Sequence, residues 1–150
     1  MNMTLYHYTS ISHLRQILED GEIHLTASNL LKPIAPHIVN GNFVDETDSY
    51  KPVVWFTSML DFSKAKGAGL EGSALDKTEA AIAVDLQSQN FVKWETWAKR
   101  NRIKTSWFNA LKRTAPLWET FYVTESPVKI TDETRIIFRP DILEQLAPHD

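Results

Sequence analysis

Two stretches carry the side chains best suited to chemistry: Leu5-Tyr6-His7-Tyr8-Thr9-Ser10 near the amino end, and Trp118-Glu119-Thr120-Phe121-Tyr122-Val123 far downstream. Each reads as a short buried strand. Residues i and i+2 of a strand share a face, so His7 and Thr9 point to one side. An imidazole on one strand and a carboxylate on another, with aromatic rings between them, can hold a cationic or cofactor-like ligand in a cleft. The plainer alternatives are a half-buried histidine bonded to a backbone carbonyl, and a glutamate at the solvated end of its strand. Glu125 is the second-choice carboxylate. In a regular strand Glu119, Phe121, Val123 and Glu125 line one face, although Pro127 interrupts that run.

Trp55, Phe56 and Phe62, with the hydroxyls of Thr57 and Ser58 beside them, supply either plain core packing or ring faces on which a flat heteroaromatic cation stacks. Lys93, Lys99, Arg100, Arg102, Lys104, Lys112 and Arg113 make the stretch ahead of Glu119 basic, offset there only by Glu95. Solvated helix faces are usually charged. Trp97 and Trp107 interleave with these charges, however, which leaves room for a substrate- or nucleic-acid-contacting surface. No glycine-rich phosphate loop, G-x-S-x-G or H-E-x-x-H occurs. The five histidines (His7, His13, His24, His37 and His149) have no ligand spacing, so no metal site is expected.

The elements that must position these groups follow from pattern. The 150 residues suit a single domain, 1–150, that buries roughly 70% of the unfolded chain's surface. Leu5 to Tyr8 is a strand, Thr9-Ser10 a helix cap, and Ile11, Leu14, Ile17 and Leu18 the apolar face of a helix closed by Gly21. Ile23 to Thr26 alternates as a second strand, giving a βαβ-like opening. Asn29 to Pro52, broken by Pro33, Pro36 and Asn40-Gly41-Asn42, reads as a long irregular loop with a binding or gating role. Strands are expected at Val53 to Thr57, Ala80 to Leu86, Phe121 to Val123 and Arg135 to Arg139. Helices are expected at Met59 to Lys66, over most of Phe91 to Arg113, and from Pro140 to Leu146. The fold class is therefore α+β, with about six short strands and flanking helices.

A formal net charge of −3 argues against a general polyanion binder while leaving room for a local patch. The absence of cysteine excludes disulfides, thiolate catalysis and thiolate zinc sites, and fits a reducing compartment. No apolar stretch approaches the ~20 residues of a membrane span. Met1-Asn2-Met3-Thr4 lacks the basic and apolar regions of a signal peptide, so a cytoplasmic location with no membrane partner is expected.

Taken in order, Tyr6-His7-Tyr8-Thr9, then Val54-Trp55-Phe56-Thr57-Ser58 continuing through Phe62, Ala65 and Gly67, then Trp118-Glu119-Thr120-Phe121-Tyr122-Val123 ending in Arg135-Ile136-Ile137-Phe138, form a pattern. It resembles the ADP-ribosyltransferase superfamily, in the branch that includes diphtheria toxin and the poly(ADP-ribose) polymerases. The resemblance implies a split β-sheet core, NAD as substrate and no metal. It implies that His7 bonds the adenosine-side ribose, that Thr9 positions the nicotinamide-side ribose, and that the Tyr8 backbone grips the nicotinamide amide. Phe56 and Phe62 would sandwich the nicotinamide ring with Trp55 nearby, and Glu119 would be the catalytic carboxylate. Phe replaces tyrosine at both stacking positions, and Tyr8 stands where many relatives have glycine. The arginine-dependent branch, with its Glu-x-Glu motif, does not fit, since Leu117 and Phe121 flank Glu119 at that spacing.

The implied activity is mono-ADP-ribosyl transfer to a protein or nucleic-acid acceptor, as in a small toxin or effector with an antitoxin partner. Lys99, Arg100, Arg102, Lys104 and Trp107 would face the acceptor, because relatives place the target-recognising loop ahead of the glutamate. Two other readings stay open. One is an RNA 2′-phosphotransferase-like or NAD-hydrolysing enzyme of the same fold, for which Arg15 and His24 give only an incomplete phosphate-binding set. The other is a catalytically silent module that binds a nucleotide or a protein.

Overall fold

The computed structural model describes residues 3–25, 37–39, 42–44, 52–65, 77–101, 105–114 and 118–146. In chain order the first elements are β1 (Thr4–Thr9), α1 (Ile11–Asp20), β2 (Glu22–Ile23), β3 (His37–Val39), β4 (Asn42–Val44), β5 (Val54–Thr57), α2 (Phe62–Ala65) and β6 (Ala80–Asp85). They are followed by β7 (Val92–Lys93), α3 (Trp94–Arg100), α4 (Thr105–Thr114), a 3-10 turn at Trp118–Thr120, β8 (Phe121–Thr124), β9 (Val128–Lys129), β10 (Arg135–Phe138) and α5 (Pro140–Leu146).

β6 shows why the main sheet forms. Ala80, Ala81, Ile82, Ala83 and Val84 are all buried, so the strand is apolar on both faces and must be interior. It lies between β10 and β1 in a six-stranded sheet of order β10-β6-β1-β5-β8-β7, antiparallel throughout. Pairing with β6 runs the whole length of β1, from Thr4 opposite Asp85 to Thr9 opposite Ala80. β5 pairs with β8 from Val54 opposite Thr124 to Thr57 opposite Phe121. β1 and β5 meet at one register pair, Tyr6 opposite Thr57. The sheet is thus two three-stranded halves joined along a narrow seam.

Each face carries its own core. Leu5, Val54, Phe56, Ile82 and Tyr122 pack against Leu14 of α1 and Ile23 and Val128 of the small β2-β9 sheet. Val53, Val123, Trp94, Trp97 and Ala98 form the second cluster, with Trp55, Phe108, Trp118 and Phe121 against it. Ser10 caps α1 by accepting from the His13 N–H at 3.1 Å, a contact worth about 1 kcal/mol. Gly21, at φ 76°, ends the helix where a side chain would be strained.

The α+β class holds, but three local expectations change. β2 leaves the main sheet to pair with β9, so no βαβ unit opens the chain. The stretch expected to be mostly helical begins as strand β7 before turning into α3 and α4. Within the segment read as irregular, β3 and β4 pair as a hairpin around the sequence Asn40-Gly41. Apart from Pro52, the rest of that segment, and with it the gating role, lies outside the described residues. Among the described residues no helix is long and apolar enough to cross a membrane.

Candidate active site

His7 sits at the seam. Its Nδ1 is 2.7 Å from the Trp55 carbonyl oxygen, across the gap where β1 and β5 stop pairing. A carbonyl only accepts, so Nδ1 carries the hydrogen and Nε2 of the neutral ring remains an acceptor. The bond to a backbone carbonyl is the plainer of the two sequence readings, and it fixes the tautomer of the ring. Phe56 packs on the same face, its ring centroid 5.5 Å from the imidazole and 4.9 Å from Phe91.

Loss of water around the half-buried ring lowers the His7 pKa. The Trp55 bond opposes that shift, and repulsion from His13 and Lys77 adds to it. The unfolded chain, with an ordinary value of about 6.5, then binds more protons than the folded one just below neutrality, so stability rises with pH there. His7 is expected to contribute fully above about pH 6.5, with that contribution lost as pH falls toward the lower folded value. His7→Asn keeps a donor for Trp55 without titrating. Urea midpoints measured from pH 7.5 to 5 should show a fall in the parent that is smaller in the variant; parallel curves would exclude His7 as the source.

Tyr8 lies on the opposite face from His7, since neighbours in a strand alternate. Its hydroxyl donates to the Met59 carbonyl at 3.0 Å and accepts from the Asp61 N–H at 2.9 Å, while its ring meets Phe62 edge-on at 5.5 Å. Its backbone stands opposite Ala81 in the β1-β6 ladder. Phe56 and Phe62 therefore flank different faces of the sheet, and Phe56 is only 2% exposed, so the two rings do not bracket one common ligand. Thr9 is buried, with its hydroxyl bonded to the Ser10 carbonyl at 3.3 Å. Trp55 packs between Trp94 and Phe121, at centroid distances of 6.1 and 5.9 Å.

Glu119 is placed differently. It is exposed on the 3-10 turn leading into β8, and its carboxylate has no partner among the described residues. The residues on either side of it are held. The Lys112 ammonium of α4 lies 4.3 Å from the ring centroids of both Trp118 and Phe108. The Thr120 hydroxyl is 2.6 Å from that of Thr57, and the Thr120 carbonyl accepts from the Ser58 N–H at 3.0 Å. A cation between two rings contributes about 0.5–2 kcal/mol depending on exposure. The carboxylate thus rides on a turn clamped from α4 on one side and β5 on the other.

The Lys112 clamp was missed by sequence reasoning. Its signal was available in part, because Phe108 and Lys112 stand four apart on one helical face; the approach of Trp118 is a tertiary event.

The three motif strands are neighbours, in the order β1, β5, β8. Strand spacing and rise place the Glu119 backbone two strands across and about three residues along from His7, roughly 14 Å away. Glu125 lies at the other end of β8, outside the strand, where it accepts from the Trp97 indole N–H at 3.0 Å. It lines a cavity of about 390 Å³ together with Arg100, Asn90 and Asn101. A second cavity, of about 520 Å³, is bordered by Asp85, Lys129, Glu133 and Arg135. His7 and Glu119 line neither.

Lys99 pairs with Glu95 at 3.1 Å on the exposed side of α3. Arg102 and Lys104 lie outside the described residues, as does the side chain of Trp107 within α4. No family model matches this chain, and no curated protein or solved structure matches it either.

Proposed function

We propose that this chain is a mono-ADP-ribosyltransferase with an ADP-ribosyltransferase-like split sheet, cleaving NAD and passing ADP-ribose to a macromolecular acceptor. The observation that carries the reading is the adjacency of β1, β5 and β8. It puts a tautomer-fixed imidazole at the seam on one side of the aromatic strand, and on its other side a carboxylate that has no partner among the described residues.

In this mechanism the bond between nicotinamide and ribose breaks, and nicotinamide leaves with the bonding pair. Positive charge builds on the ribose as in glycoside hydrolysis. Glu119, near the 2′-hydroxyl, stabilises that charge, and its clamped turn spares the cost of reorienting a carboxylate during reaction. His7 Nε2 accepts from a ribose hydroxyl. The acceptor's nucleophile then bonds the anomeric carbon and loses its proton.

A second reading, the catalytically silent module, is favoured by one observation. Phe56 and the Thr9 hydroxyl are drawn into packing, which removes two contacts the resemblance assigns to NAD. Incubation with NAD and cell extract separates the readings. Nicotinamide release with a labelled acceptor supports the transferase, and release without labelling indicates hydrolysis. Saturable NAD binding without release identifies the silent module, and neither binding nor release removes NAD from the account.

A further inference from the structure

The Glu119 carboxylate has no partner among the described residues, so what fixes it acts through the chain on either side. On the Thr120 side the hold is hydrogen bonding to β5 and the residue after it. On the Trp118 side it comes from α4, and a series of rings roots it in the second core. Trp94 is fully buried, and Phe108 stacks on it at 4.9 Å with the planes 24° apart. Trp118 lies 6.5 Å from Phe108, tilted by 59°. That last contact is toward the long end of the ~4.5–7 Å over which rings attract each other, so by itself it holds Trp118 weakly.

The Lys112 ammonium closes the gap, 4.3 Å from the centroids of both rings. Lys112 is half-buried and pairs with no carboxylate among the described residues, Glu119 included. Its effect on Glu119 therefore runs through Trp118, the residue directly before it. Neutralising the ammonium would leave Trp118 on one weak ring contact and free the turn at that point. A carboxylate that stabilises a developing cation works only if it is already in place, and a shift of about 1 Å costs as much as about 10²-fold.

We propose that Lys112 is a positioning residue for Glu119, holding the turn of the carboxylate against the core through Trp118 and Phe108. Its effect on rate rests on the transferase reading, whereas the hold on the turn can be measured without NAD.

The test compares Lys112→Met, which keeps the stem and removes the charge, with Lys112→Arg, which keeps a cation that aromatic faces attract. Amide hydrogen exchange of Trp118 to Thr120 and the kinetics of nicotinamide release are measured in each. Lys112→Met should speed exchange of the turn about tenfold while β6 is unchanged, and should lower kcat about tenfold with KM nearly constant. Lys112→Arg should restore most of both. In a Glu119→Gln background the methionine change should lower kcat no further, because a residue that acts through Glu119 then has nothing left to position. Unchanged exchange in Lys112→Met would overturn the hold. Release by the parent with unchanged kcat in Lys112→Met, an arginine variant as slow as the methionine one, or a full additional loss in the Glu119→Gln background would each overturn the positioning role and leave the transferase standing. A parent that releases no nicotinamide, with exchange still faster in Lys112→Met, would remove the transferase and keep Lys112 as the residue that positions the Glu119 turn.

Discussion

Replacing Glu119 by Gln is expected to lower nicotinamide release from NAD by about 10²–10³-fold, the scale of losing one preorganised electrostatic group. The substitution keeps shape and removes charge. Glu119 is exposed and its carboxylate has no partner among the described residues, so the fold gives up no contact with it. On the proposed mechanism NAD affinity should change little, because the carboxylate would act on charge that appears only as the glycosidic bond breaks. The measurement is kcat and KM for release in both proteins, with urea midpoints as a control. Turnover within about threefold of the parent would take Glu119 out of the mechanism, since one lost transition-state contact costs far more than that.

Trp94→Ala is expected to give the largest loss of stability, about 3–5 kcal/mol. Trp94 is fully buried, stacks on Phe108 at 4.9 Å and lies 6.1 Å from Trp55. Burying a ring of this size contributes on the order of 4–6 kcal/mol before entropy is counted. The hole would open at the centre of the second core, beneath the helix pair that supplies Lys112 to the Glu119 turn. Trp94→Phe isolates a different quantity. The indole N–H of Trp94, like that of Trp55, is buried without a hydrogen-bond partner among the described residues. Removing that donor while keeping a ring should cost much less than the alanine change, because an unsatisfied donor carries its own penalty. Chemical denaturation of the two variants decides the point. A phenylalanine variant as unstable as the alanine one would mean that the N–H has an acceptor.

Much of this fold was legible because local chemistry and tertiary pairing agree. Ser10, through its hydroxyl, and Gly21, through its left-handed backbone, bound α1, and the apolar run Ala80 to Val84 of β6 is interior on both faces. Pro140 opens α5 at the first helical position, where its missing N–H costs nothing. What escaped depended on partners distant in sequence. Ile23 to Thr26 has strand-like alternation, but among the described residues of that run only Ile23, with Glu22 before it, pairs with a partner, the short β9. The pairing of His37–Val39 with Asn42–Val44 had a local signal in the sequence, since Asn-Gly between apolar runs favours a hairpin as well as breaking a period.

The site divides in the same way. His7 and Glu119 were singled out by residue type and strand context, and the sheet order makes their strands second neighbours. Phe56 and Phe62 were grouped by ring chemistry, and strand parity separates them. Arg100 and Glu125 were picked for unrelated reasons, and the splay of β7 from β8 brings them to one cavity. Periodicity says which face a residue takes, but not which strands are neighbours.

The lone rung between Tyr6 and Thr57 has a mechanical meaning. The other strand boundaries of the main sheet carry six, four, four and two such rungs, so the boundary with the fewest backbone pairs in that sheet runs between the histidine's strand and the two beyond it. A molecule spanning that line would brace what the backbone leaves unbraced, and stiffening would then report occupancy directly.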